Sequence, residues 1–179
     1  SPLPRMCENK WPFLSEIAAV GRWAGTMHYA TGADGLAPAP FVLSGTTEIT
    51  LDGDACKLVS SVVLPNGAER VVEMKGSLRE SPARLEGDGP IALLLSEVSA
   101  ARTLLVREVN RTSGASVLTS SLVMVREDET PQLLQTAHEL SQEPGGGVTG
   151  VQMWKMVPMP SLPADENDEE AFMYSGSQL

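Results

Sequence analysis

Residues 55–75 read ACKLVSSVVLPNGAERVVEMK, two runs rich in Val, Leu and Ser divided by Leu64-Pro65-Asn66-Gly67-Ala68. Asn-Gly supplies the positive backbone angles that a tight reversal needs, and the flanking runs have the β-branched content of strands. The stretch therefore reads as a hairpin, Ala55 to Leu64 returning as Ala68 to Lys75. The same grammar extends in both directions. Asp52-Gly53-Asp54, Gly87-Asp88-Gly89, Thr112-Ser113-Gly114 and Pro144-Gly145-Gly146-Gly147 are turn clusters that supply positive-φ residues. Between them lie further strand-like runs: Arg22 to Thr31, Phe41 to Leu51, Ile91 to Val98, Arg102 to Asn110, Ala115 to Val125, Leu133 to Ser141 and Gly150 to Val157. Many short strands with no long helix among them indicate an antiparallel sandwich or barrel. An up-and-down barrel of about eight or nine strands, nine being the upper count, is preferred because closure removes exposed edges.

One short helix precedes the strands. Phe13, Leu14, Ile17, Ala18 and Val20 recur at spacings of three and four, Pro12 suits a first turn and Gly21 a stop. The 179 residues suit a single domain, divided into an extended leader over 1–10, helix plus barrel over 11–157 and a Pro-rich acidic tail over 158–179. Within the barrel, Leu104, Val106 and Val109 are expected to face inward, returned by Val117, Leu122 and Val125. Arg107, Glu108, Arg111, Arg126 and Glu127 are expected on a solvated outer face. Met153 and Val157 are expected to complete the barrel before Pro158 and Pro160 end the last strand.

The net charge is −10, which repels nucleic acid and anionic lipid, and no basic patch offsets it. Five of the acids, Asp165, Glu166, Asp168, Glu169 and Glu170, follow the last base, Lys155. Behind them stand Phe172, Met173 and Tyr174, and ahead of them Met159, apolar side chains with no barrel to fill. An apolar cluster after an acidic run reads as a docking peptide, so these residues are the expected partner-binding positions. No apolar run approaches the roughly 20 residues of a membrane helix. The two cysteines permit one disulfide at most: Cys56 reads as a small buried thiol, and Cys7, in the leader, as free or paired. The start at Ser1 suggests a processed protein, and Asn110-Arg111-Thr112 is a glycosylation triplet, so organelle and extracellular space both stay open.

Gly21-Arg22-Trp23, opening the first long strand after a short helix, resembles the G-x-W signature of the lipocalin and wider calycin barrels. The resemblance covers roughly residues 11–157 in element order, while the T-D-x-x-Y type of signature is absent. It implies that Trp23 closes one end of the barrel over the helix. It also implies that Lys155, beside Trp154 in the final strand, is placed as those barrels place a basic residue against the Trp. Gly21, Trp23, Trp154 and Lys155 are accordingly the expected structural residues. The order of elements is also similar to the lipocalin-like phycobiliprotein lyases and related plastid proteins, which implies a plastid, photosynthetic context; their bilin-contacting side chains have no counterparts placed residue by residue here.

Candidate chemistry is sparse. By alternation from Trp23, Met27 and Tyr29 share the Trp face and His28 points outward, away from any haem in the interior. His138 and Glu139 are neighbours on a strand and point to opposite faces, so they cannot share a site. Gly145-Gly146-Gly147 lacks the Lys-Ser or Lys-Thr of a phosphate loop, no G-x-S-x-G elbow exists, and no C-x-x-C pair suggests a metal. Glu127-Asp128-Glu129 is an exposed acidic grouping. No catalytic residue, metal or cofactor is expected, and the leading expectation is a non-enzymatic accessory or assembly subunit docking through its termini. The alternatives are a carrier or chaperone of a small apolar ligand, a lipid or tetrapyrrole in the barrel interior, and a bilin-lyase-like protein.

Overall fold

Ten antiparallel strands pair each with the next in sequence, and the last closes on the first. In the computed structural model, which describes residues 9–32, 36–128 and 130–160, the elements are α1 (Pro12–Val20), β1 (Arg22–Thr31), β2 (Ala37–Asp52), β3 (Ala55–Val63), β4 (Glu69–Ser77), β5 (Ala83–Glu86), β6 (Ile91–Val98), β7 (Thr103–Asn110), β8 (Ser116–Glu127), β9 (Thr130–Leu140) and β10 (Val148–Pro158). Closure runs from Trp23 opposite Pro158 to Thr31 opposite Gly150. The up-and-down barrel and its leading helix are thus as the periodicity indicates. The strand count is one above the expected maximum, because Ala83-Arg84-Leu85-Glu86 is also a strand. Four residues, half of them charged, carry too little periodicity to be recognised. Ala83 and Leu85 are nevertheless fully buried, and β5 bridges β4 and β6.

The hairpin of residues 55–75 forms in the expected register, Val63 opposite Glu69 and Ala55 opposite Ser77. Its turn closes through Gly67 N–H to Leu64 O at 2.8 Å, with Gly67 at φ +81°. Gly53, Gly114 and Gly145 also take positive φ, whereas Gly87, Gly89, Gly146 and Gly147 do not, correcting that part of the turn assignment.

Helix α1 plugs one end of the barrel. Phe13, Leu14 and Ile17 are buried there with Trp11 and Trp23, and a fully buried side chain of this size contributes roughly 1.5–3 kcal/mol. The plug is tied by specific bonds. Trp11 Nε1 donates to Leu78 O at 2.9 Å, Trp23 Nε1 to Ile17 O at 3.1 Å, and Arg102 forms a two-pronged pair with Glu16 at 3.0 and 2.6 Å. Glu97, at the end of β6, accepts the N–H groups of Phe13 and Leu14, each at 3.0 Å.

Alternation assigns the inner face strand by strand, and several expectations change. On β7, Leu104 and Val106 face inward, but Glu108 follows them into the interior instead of lying on the outer surface. On β8, Leu122 and Met124 are buried and Val125 is outward and 39% exposed. On β10, Trp154 and Met156 fill the barrel, whereas Met153 and Val157 lie on its outside. Two causes account for the differences: Val125, Met153 and Val157 are apolar but out of phase with the inward residues of their strands, and Glu108 is charged but in phase with them.

Candidate functional site

A barrel of about eight strands is just wide enough for its own side chains to fill, and width grows with strand number. Ten strands leave room. At the end opposite α1 the lumen opens as a cavity of about 560 Å³. Its walls include Trp154, Met27 and Leu43, side by side in register on β10, β1 and β2, then Val62 and Val72 farther round the barrel, and Leu64, Leu140, Gln142 and Thr149 around the mouth. A deeper chamber of about 190 Å³, bounded by Ile49, Leu58, Met74, Leu93, Leu104 and Leu122, shares Ser60, Val72 and Glu108 with it. Thr47 and Ser60 satisfy each other on this wall at 2.7 Å.

A second opening lies in the side of the barrel. Because β5 is so short, β4 pairs with it only over Lys75–Ser77, leaving Glu69–Met74 without a strand partner on that edge among the described residues. The gap, about 430 Å³, is bounded by Arg70, Val72 and Met74 on one side and Gly87–Ile91 on the other, with Glu108 at its back. Arg111 fastens the far side by donating to the carbonyls of Gly87 (2.9 Å) and Gly89.

The polar groups of the lumen gather at the level of Glu108 and Glu139. Tyr29 Oη donates to Glu139 Oε2 at 2.6 Å, and Gln152 Nε2 donates to Glu139 Oε1 at 2.7 Å. Accepting this bond from Tyr29 holds the phenol above its ordinary range, with burial adding to the effect. Gly150 makes the arrangement possible: a Cβ there would lie 2.7 Å from both Tyr29 Oη and Glu139 Oε2. Glu108 forms no hydrogen bond or ion pair within 4 Å with the described residues. Burial pushes its carboxyl above the usual range, Arg70 opposes that rise, and Glu139 reinforces it. No group of three His, Cys, Asp or Glu is placed to hold a metal among the described residues.

Of the residues singled out from the sequence, Gly21 ends α1 at φ +88°, its N–H bonded to Ala18 O at 3.0 Å. Trp23 is fully buried above the helix. Trp154 lines the cavity and its ring rests against Gly45. Lys155 is exposed on the outer face opposite Thr26, so the structure does not bring it to Trp23. His28 and His138 are exposed, while Met27 and Glu139 point inward. Cys56 is a buried free thiol, and Cys7 lies outside the described residues. Met159 is exposed, with its N–H bonded to Arg22 O at 2.8 Å. Asp165, Glu166, Asp168, Glu169, Glu170, Phe172, Met173 and Tyr174 lie outside the described residues. The lumen group of Arg70, Glu108, Glu139 and Gln152 was missed, although Glu108 stands in phase with Leu104 and Val106, a signal legible in the sequence.

Among the described residues no helix is long and apolar enough to cross a membrane. The chain matches no protein-family model and no curated protein.

Proposed function

We propose that the protein is a calycin-like, non-enzymatic binding protein that carries a small, largely apolar molecule inside its barrel. The observation that carries this reading is the open cavity of about 560 Å³ at the end away from the helical plug, within the roughly 300–1,000 Å³ range of small-molecule sites. Its lining is mixed, with apolar side chains such as Met27, Leu43, Val62, Val72 and Trp154 to hold a hydrocarbon body and polar groups from Ser60 to Gln152 to orient it. Titration with diphenylhexatriene, a hydrocarbon that fluoresces on leaving water, tests it. Saturable binding at one molecule per chain, lost when Val72→Trp fills the lumen, is expected. Binding unaffected by Val72→Trp refutes the reading.

A second reading, an accessory subunit of a larger assembly, is favoured by the outer wall. Strands β1, β6, β7, β9 and β10 carry only three acids, Glu97, Glu108 and Glu139. Glu97 is turned to the helix and the other two to the lumen. The outer surface of these strands therefore displays no acid in a chain of net charge −10, and it exposes Leu105, Leu134, Met153 and Val157. Its test is co-purification from native extract with stoichiometric partners that are lost from a Leu134→Glu/Met153→Glu variant. Deletion of residues 164–179 tests the tail as docking arm, and a lone chain in every form refutes this second reading.

A further inference from the structure

The inner chamber is largely apolar, while the main cavity mixes apolar and polar walls and carries an unbalanced charge at one level. Glu108 from β7 and Glu139 from β9 face it, and among the described residues Arg70, on β4 beside the mouth and the lateral gap, is the one basic side chain in the cavity wall. The two carboxylates are not equivalent. Glu139 is fixed by Tyr29 and Gln152, one donor on each oxygen, and an ionised carboxylate has lone pairs left for further donors. Glu108 borders the main cavity, the inner chamber and the lateral gap, and has no hydrogen-bonding partner among the described residues. Glu108 is half-buried and its carboxylate still reaches the lumen, so its oxygens are free to accept a donor that a ligand brings in.

Resting on the reading of the lumen as a ligand site, we propose that its ligand is an apolar amine, a hydrocarbon body bearing a cationic or N–H-donating nitrogen that binds Glu108 and Glu139. The apolar walls take the body and the carboxylate level takes the nitrogen. A fatty carboxylate fits the same volume but brings a third negative charge to a level with one guanidinium, and it offers no donor to Glu108. An alcohol offers one donor without charge and stands between the two.

The test displaces diphenylhexatriene from the full chain with dodecylamine, dodecanol and dodecanoate, each below its micellar concentration, at pH 7. Dodecylamine is expected to compete at roughly tenfold lower concentration than dodecanoate, the scale of one charge-assisted hydrogen bond. Within Glu108→Gln the same amine-to-carboxylate ratio is expected to fall to about threefold or less, while Arg107→Gln, altering the adjacent outward side chain, keeps the wild-type ratio. If diphenylhexatriene binds in the lumen but dodecanoate competes as well as dodecylamine, the amine proposal is overturned and the lumen reading stands. A ratio unchanged by both Glu108→Gln and Glu139→Gln also overturns it. If diphenylhexatriene does not bind, the lumen reading falls and the proposal falls with it.

Discussion

Glu97→Ala is expected to loosen the helical plug by an amount that the geometry allows to be worked out. The first turn of α1 has few donors to satisfy: Pro12 has no N–H, and Ser15 N–H already reaches Trp11 O at 3.0 Å. The two remaining, Phe13 and Leu14, both donate to the Glu97 carboxylate at 3.0 Å, and the N-cap residue Trp11 offers no side-chain cap. A hydrogen bond to a charged group is worth a net of about 1.5–3 kcal/mol, and loss of an ordinary helix cap costs about 0.5–2 kcal/mol. Water replaces part of what is lost at this half-buried site, so a destabilisation of about 2–3 kcal/mol is expected. For a domain of this size that lowers Tm by roughly 4–12 °C. Glu97→Gln keeps one acceptor but turns an amide N–H₂ toward the other donor, and is expected to fall between. Urea unfolding followed by tryptophan fluorescence, sensitive to Trp11 and Trp23 in the plug, measures the effect against the exposed control Glu80→Ala. A Glu97→Ala stability within about 0.5 kcal/mol of that control refutes the assignment, since ordinary surface substitutions vary by that much.

Four further outcomes are expected. Glu108→Gln raises Tm at pH 7, because the folded chain bears a desolvated carboxylate; its raised folded value means the advantage shrinks as pH falls through that value toward 4.5, measured by thermal melts across pH. Cys56, its thiol pushed up to about 11 by burial, stays unreactive to a disulfide reagent in the native protein and reacts on unfolding. The unfolded thiol ionises first, so stability declines between pH 9 and about 11 by up to roughly 1.4 kcal/mol per pH unit, a decline reduced in Cys56→Ala. Gly150→Ala pushes aside the tips of Tyr29 and Glu139, which have open lumen to move into, and is expected to cost only the bond between them, about 0.5–1.5 kcal/mol in urea unfolding.

The architecture was legible wherever local signals agreed. Pro12 and Gly21 bracket an apolar helix with exact bounds, and Asn66-Gly67 sets the hairpin that the following strands repeat. Strand β5 is hard to see in the sequence because four residues hold barely one repeat of the strand pattern; pairing on both edges with its neighbours β4 and β6 makes it a strand. The missing strand also concealed the site. A barrel of eight strands tends to fill itself, whereas ten leave a lumen, and the short β5 leaves the lateral gap. Glu108 is expected outside on its charge alone, although period two carries it inward behind Leu104 and Val106, and Glu139 is given no face beyond lying opposite His138. Charged residues in phase with a core face are the signal to weigh, since a cavity supplies the room that a packed core does not. The acidic tail, prominent in the sequence, lies outside the described residues.

The location of a bound apolar molecule tests the account most directly. With methyl-labelled methionine, NMR spectra recorded as diphenylhexatriene is added distinguish lumen from surface, because Met27 lines the main cavity and Met74 the inner chamber, while Met153 and Met159 are exposed outside. The account predicts saturable shifts of Met27 and Met74 with Met153 and Met159 unmoved. Shifts confined to Met153 and Met159 would contradict it and make the outer wall, not the interior, the working surface of the protein.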